Sequence, residues 1–153
     1  MQTEDRIKKL QNQMAENEVD LIAIGPTSNM LYLLGFSPHA DERFCVLLIG
    51  VDQVSMIVPS LNAEEIAAHT TVNLITWKDS DGPLKALQEA RTSFGRPTMM
   101  AADSSMRADS LLHLLNELNP GRTIPADALI SPLRLIKTVD EIAVLADSAI
   151  LAD

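Results

Sequence analysis

Apolar residues recur along this chain with two alternating periods, and the alternation predicts a layered α/β domain. In residues 3–16, Ile7, Leu10 and Met14 fall at i, i+3 and i+7, one helix face, while Lys8, Lys9, Gln11, Asn12 and Gln13 occupy the others. Asp20-Leu21-Ile22-Ala23-Ile24 is a short apolar run closed by Gly25-Pro26, which reads as a buried strand. Ser28 or Asn29 can cap a short helix through Met30–Leu34, and Gly35 supplies a left-handed stop. After a polar loop, Ser37–Glu42, the segments 43–49 and 54–58 read as two strands. The connection Gly50-Val51-Asp52-Gln53 is short enough to make them an antiparallel hairpin, and Pro59 is expected to end the second.

The second half continues the alternation. Asn62 with Glu65 resembles a capping box for a helix to about His69. A strand over 72–77 and a turn over 78–82 follow. The next helix starts near Pro83, carries Leu84, Leu87 and Phe94, and stops at Gly95. Residues 98–102 form a strand, and Asp103 or Ser104 is expected to cap a helix with Leu111, Leu114, Leu115 and Leu118 on one face. Asn119-Pro120-Gly121 ends it. Thr123-Ile124-Pro125 fits a short edge strand, where proline is tolerated. Residues 128–136 look helical but interrupted by Pro132, and Thr138-Val139-Asp140-Glu141 is a capping box that opens a further helix. The predicted fold is therefore α/β, a mixed sheet of five or six strands with helices on both faces.

The final helix stands apart. Ile142, Leu145 and Ala149 share one face, yet no Gly, Pro or basic stop precedes Asp153. A freshly capped amphipathic helix in this position has little to pack on. The pattern predicts that the helix opened at Thr138 is the first helix of a further domain.

Composition narrows the class. The 153 residues carry 12 Lys+Arg against 21 Asp+Glu, a net charge of −9, with 46% hydrophobic and 22% charged residues. That is an ordinary globular balance, and its acidity argues against nucleic acid or an anionic membrane as partner. The longest apolar stretch, Phe44 to Val51, is far shorter than the roughly 20 residues of a membrane span. No apolar targeting core follows the polar start, and the single cysteine cannot form an intrachain disulfide, so a cytoplasmic protein is expected. One Trp, one Tyr and three Phe leave the core to aliphatic residues and Met.

Recognisable catalytic chemistry is sparse. Ile24–Asn29 holds one Gly, and Pro26 removes an N–H donor, which argues against a phosphate cradle. A phospho-receiver would need an acidic pair after the first strand, where Gly25-Pro26 stands. His39, His69 and His113 lack metal-ligand spacing, and Met99, Met100 and Met106 read as core filler. Cys45 lies within Phe44-Cys45-Val46-Leu47-Leu48, a small core side chain rather than an exposed nucleophile. One segment concentrates functional groups: Ser37-Pro38-His39-Ala40-Asp41-Glu42-Arg43 sets a histidine, two acids and an arginine between a helix stop and a strand. It reads as a solvated turn or as a functional loop.

Three stretches carry a family resemblance. Arg6, Leu10 and Met14 precede Val19–Ile24; then come Asn29-Met30-Leu31-Tyr32-Leu33-Leu34-Gly35-Phe36, and later Arg134, Lys137, Glu141, Ile142, Leu145 and Ala149. Together they resemble the amino-terminal domain of the creatinase/prolidase/Xaa-Pro aminopeptidase group of pita-bread metallohydrolases. The family's Asn-x-x-Tyr-Leu-Thr-Gly-Phe element is matched except that Leu34 replaces Thr. The resemblance implies a ribonuclease-H-like mixed sheet here, and a binuclear site for Mn, Co or Zn in a separate carboxyl-terminal domain. It also implies that residues 1–133 form the domain proper, with residues 134–153 as the junction and first helix of that further domain. None of those metal ligands, and no catalytic residue, maps onto this sequence, so the chain alone is expected to be inert and without a cofactor.

The resemblance further implies homodimerisation and a peptide substrate. The loop after the Tyr-Leu-x-Gly-Phe element can reach a neighbouring subunit's active site, and His39, Asp41, Glu42 and Arg43 occupy it. Arg and an acid there could orient a peptide's carboxylate and amine through charge-assisted hydrogen bonds. The leading expectation is an accessory domain of a Xaa-Pro peptidase. A stand-alone binding or regulatory module, and a small enzyme with an unrecognised site, remain the alternatives.

Overall fold

The computed structural model describes residues 2–152; Met1 and Asp153, at the outer limits of the predicted polar start and last helix, lie outside the described residues. The elements run α1 (Gln2–Glu16), β1 (Leu21–Ile24), α2 (Ser28–Leu34), β2 (Val46–Gly50), β3 (Val54–Pro59), a 3-10 turn (Ser60–Asn62), α3 (Ala63–Ala67), β4 (Asn73–Trp77), α4 (Leu84–Phe94), β5 (Met99–Ala102), α5 (Ala108–Leu118), β6 (Arg122–Pro125), α6 (Asp127–Leu135) and α7 (Val139–Ala152). This is the order the apolar periodicity predicts. The strands form one six-stranded sheet in the order β4-β3-β2-β1-β5-β6. β1, β2 and β3 pair antiparallel, and the β3–β4, β1–β5 and β5–β6 pairs are parallel.

The sheet grows outward from its interior. The β2–β3 hairpin is closed by the Gly50 N–H donating to the Gln53 carbonyl at 2.8 Å, while the parallel pairs require helical crossovers. Strand alternation then divides the core. Ile22, Ile24, Leu47, Ile49, Met56 and Val58 face Leu10 and Met14 of α1, Met30 and Leu33 of α2, Ile66 of α3 and Ile130 of α6. Leu21, Ala23, Val46, Leu48, Ile57 and Ile75 face Leu87 and Ala90 of α4 and Leu114 and Leu118 of α5. Each fully buried Leu or Ile contributes about 1.5–3 kcal/mol, so a one-residue slip in β1 or β2 would exchange the two cores.

Several local expectations are corrected. Thr27, not Ser28 or Asn29, caps α2, its side chain accepting from the Asn29 N–H at 3.2 Å. Asp103 and Ser104 cap no helix, since α5 begins at Ala108 behind Arg107. Asn62 closes the 3-10 turn in a helical backbone conformation and makes no side-chain cap to α3. Pro132 is accommodated within α6 rather than interrupting it, while β3 does end at Pro59, which stays in register with Trp77. The Thr138 box does form: Thr138 N–H donates to Glu141 Oε2 at 2.9 Å, and Glu141 N–H donates to Thr138 Oγ1 at 3.3 Å.

α6 buries Leu129 and Ile130 beneath α1, whereas α7 leaves its apolar residues in solvent. Ile142 is 57% and Leu145 56% exposed. No helix among the described residues is long and apolar enough to cross a membrane.

Candidate functional site

The loop between α2 and β2 begins where Gly35 turns left-handed, at φ 77°, and donates its N–H back to the Leu31 carbonyl at 2.9 Å. Its two ends are held by ring contacts. Phe36 stacks on His69 with centroids 5.4 Å apart, and Phe44 meets His113 edge-on at 5.9 Å. The buried Trp77 indole N–H donates to the Phe44 carbonyl at 2.9 Å, which ties the loop's exit to the end of β4.

Between these ends the charged residues are ordered by one another. Asp41 Oδ1 accepts the Arg43 backbone N–H at 2.8 Å, and its other oxygen accepts from Arg43 Nη1 at 3.1 Å. Arg43 Nε faces both carboxylate oxygens of Asp79 at 3.3 Å, and Glu42 Oε1 lies 3.9 Å from Nη1. The Arg43 N–H and then its guanidinium hold the Asp41 carboxyl below the usual aspartate range. The hydrogen bonds to Asp41 and Asp79 raise Arg43 in turn. Of the four residues predicted for this loop, Asp41, Glu42 and Arg43 are brought together, while exposed His39 lies outside the hydrogen-bonded cluster.

Asp79 was invisible to sequence reasoning because Lys78–Gly82 reads simply as a turn; the available hint was a carboxylate in the turn behind a strand that neighbours the loop's own hairpin. A recess of about 110 Å³ lies under the loop, bounded by Glu42, Phe44, Trp77, Asp109 and His113 among others. Beside it Arg107 Nη2 pairs with Asp109 Oδ2 at 2.7 Å, and Glu42 and Asp41 add to the positive bias on Arg107.

A second constellation gathers the motif residues. Asn29 Nδ2 donates to Asp103 Oδ1 at 3.1 Å, and Asn29 Oδ1 accepts from Arg134 Nη1 at 2.6 Å. Asp103 also accepts from the Thr27 hydroxyl and from the Ser105 N–H. Tyr32 donates to the Leu133 carbonyl at 3.0 Å. Arg6 lies over the Tyr32 ring at 4.4 Å, donates to the Tyr32 carbonyl at 2.6 Å and pairs with Glu141 at 2.7 Å. Lys137 Nζ donates to the Arg134 carbonyl at 2.6 Å. Arg6, Asn29, Tyr32, Arg134 and Glu141 thus fasten α1, α2, α6 and α7 to one another, with Lys137 closing the end of α6, beside a groove of about 750 Å³ walled partly by Leu31, Leu135, Val144 and Leu145. Their hydrogen bonds run mostly to one another and to backbone carbonyls of these helices.

Neither constellation suits a metal. Among the described residues no three His, Cys, Asp or Glu side chains are grouped to hold one. The loop carboxylates Asp41 and Asp79 are already turned onto Arg43, and Asp109 onto Arg107. Cys45 is buried, and desolvation pushes its thiol up to about 12, which leaves it neutral and inert as a nucleophile.

Comparison with known proteins identifies the fold and its family. Residues 6–136 match the model of the creatinase/prolidase N-terminal domain. A Xaa-Pro dipeptidase of Pyrococcus horikoshii is 24% identical over 149 residues, covering 97% of this chain and 40% of that protein. The crystal structure of a recombinant prolidase from Thermococcus sibiricus superposes with a TM-score of 0.83 at 26% identity, over 94% of this chain and 40% of that one. The isolated creatinase/prolidase N-terminal domain of a Streptococcus pyogenes X-Pro dipeptidase shares the fold, at TM-score 0.76 and 13% identity, over 84% of this chain and 98% of that one. The chain therefore spans about 40% of the length of the dipeptidase relative it matches. With most of its length matched and its fold shared with these proteins, this chain belongs to the creatinase/prolidase N-terminal domain family.

Proposed function

We propose that this chain serves as the non-catalytic N-terminal domain of a metal-dependent Xaa-Pro peptidase of the aminopeptidase P or prolidase type. The observation that carries the proposal is the match of residues 6–136 to an N-terminal domain family whose relatives, Xaa-Pro dipeptidases among them, extend well beyond it. In this reading residues 1–133 are the accessory domain, and residues 134–153 lead into a catalytic domain that holds two divalent ions such as Mn, Co or Zn. That domain supplies the activated water for amide hydrolysis. The present chain supports subunit pairing into a homodimer and shapes the approach of the peptide in the cytoplasm. The loop carrying His39, Asp41, Glu42 and Arg43 lines the substrate path, because it is pinned at both ends yet exposes His39 and Glu42.

The test compares this chain with the longer polypeptide that includes the sequence following Asp153. Xaa-Pro dipeptides and longer Xaa-Pro peptides are assayed with Mn, Co and Zn. The longer form turns them over, and the chain alone does not. Within the longer form, His39→Ala and Arg43→Ala each lower kcat/KM or shift peptide selectivity. Metal-dependent turnover by the chain alone overturns the proposal, and a natural stop codon after Asp153 favours a stand-alone module.

A further inference from the structure

The two edges of the sheet differ. β6 carries exposed Arg122 and Pro125, a charge and a residue without an N–H, which keep a sheet edge from pairing. β4, at the opposite edge, has neither: residues 70–77 hold no charged side chain, in a chain of net charge −9. The hydrogen bonds show which of its peptide groups face outward. The Gly50 N–H donates to the Gln53 carbonyl across the β2–β3 hairpin, so by alternation Ser55 and Ile57 face β2, and Val54, Met56 and Val58 face β4. On β4 the Trp77 carbonyl accepts from the hydroxyl of Ser60, just past β3, at 2.8 Å. Asn73, Ile75 and Trp77 therefore turn inward. The N–H and C=O groups of Leu74 and Thr76 point away from the sheet, with no hydrogen-bond partner among the described residues.

We propose that β4 pairs antiparallel with β4 of a second copy of this chain, about a two-fold axis through Ile75. In that register Leu74 lies opposite Thr76 of the partner subunit and the two exchange both N–H···O=C bonds. The axis repeats the exchange, so every outward group is matched. The neighbouring registers fail. An axis through Leu74 sets Val72 against Thr76 of the partner subunit, but the Val72 N–H already donates to Thr70 Oγ1 at 3.2 Å. An axis through Thr76 engages Lys78, whose carbonyl already accepts from the Asp81 and Gly82 N–H groups. A ladder closed at both ends suits a partner with the same limits better than a long extended peptide. It also needs apolar contact beside it, and Leu61 and Leu84, 76% and 54% exposed, flank the carboxyl end of β4. An acidic chain thus meets its copy along an uncharged strip, where their repulsion is least. This inference names a surface for the subunit pairing proposed above and rests on it.

Sedimentation of this chain and its variants tests the interface. The parent is expected to run as a dimer. Thr76→Pro removes an outward N–H and Thr76→Lys charges the strip; both run at half the parent's mass with unchanged circular dichroism, while Thr123→Lys on the β6 edge stays dimeric. Oxidation reads the register. An equal mixture of Leu74→Cys and Thr76→Cys gives a disulfide-linked pair and neither variant alone does, because only that cross-axis pairing brings the two Cα atoms within about 6 Å. In the parent, amide exchange at Leu74 and Thr76 slows as chain concentration rises. A monomeric parent chain, a dimeric Thr76→Lys variant, or amides slowed only by an added Xaa-Pro peptide overturns the β4 interface and leaves subunit pairing by another surface standing. A monomeric longer polypeptide, continuing past Asp153, overturns subunit pairing itself.

Discussion

Asn29 and Asp103 lie 74 positions apart, yet their buried side chains meet at 3.1 Å. Asn29 spends both ends of its amide, with Nδ2 on Asp103 and Oδ1 on Arg134 at 2.6 Å. One side chain thus joins the end of β5, the start of α2 and the last turn of α6. Removing one member of a buried polar set costs more than the net value of the bond, because its partners stay desolvated. Asn29→Ala is therefore expected to lower stability by about 2 kcal/mol, read as a fall in the urea midpoint with an unchanged slope. Asn29→Asp should be worse, since it sets a second carboxylate against Asp103, and no midpoint change in either variant would refute the shared role.

The Arg6–Glu141 pair makes a prediction about α7. Glu141 accepts from Thr138 and from Arg6, and the Thr138 N–H is the larger cause that holds its carboxyl below the ordinary glutamate value. A lowered folded value stabilises the docked helix above the unfolded value of about 4.3, and that stability is lost as pH falls through the folded value. At pH 7, Glu141→Gln and Arg6→Ala are both expected to speed amide exchange in residues 139–145. As the pH falls through the folded value, the difference between Glu141→Gln and the parent should fade. A pH-independent difference would mean that packing, rather than charge, holds α7.

Cys45 offers a chemical check on the core. Its thiol is buried and displaced to about 12 by desolvation, so thiolate is almost absent at pH 8. The native chain is expected to resist an aromatic disulfide reagent over the time in which the urea-unfolded chain reacts to one thiol per molecule. Rapid reaction in the native state would place the side chain at the surface.

How far the sequence carried these conclusions depended on the range of the interactions involved. Element order was legible because Ile22 and Ile24, or Leu114 and Leu118, report burial through local period alone. Caps were less legible, as tertiary partners competed for the same side chains. Asp103 accepts the Ser105 N–H as a cap would, yet shares its carboxylate with Thr27 and Asn29, and the chain turns through Arg107 before α5 begins; Asn29 lies within α2, behind the Thr27 cap. The loop's charged residues stood out in sequence, but the role of Arg43 did not, for its second carboxylate comes from a turn 36 positions on. Likewise Arg6, Tyr32 and Glu141 are recognisable as motif positions, and only the fold shows that they meet.

Two glycines separate backbone conformation from space as reasons for the residue. Gly35 adopts φ 77° and a Cβ added there would meet nothing within 4 Å, so only its left-handed backbone resists substitution. Gly121 lies outside the left-handed region, but a Cβ there would lie 2.8 Å from the Thr98 carbonyl oxygen. That carbonyl belongs to the entry of β5 and accepts the Arg122 N–H at 2.9 Å, so it cannot move aside without opening the β5–β6 ladder. Gly35→Ala should cost about 1 kcal/mol, and Gly35→Asn less, because asparagine tolerates the left-handed region. Gly121→Ala should cost on the order of 3 kcal/mol, with asparagine giving no relief at that site. Melting temperatures of the four variants Gly35→Ala, Gly35→Asn, Gly121→Ala and Gly121→Asn decide the matter. Relief by asparagine at Gly121, or its absence at Gly35, would reverse the assignment of the two causes.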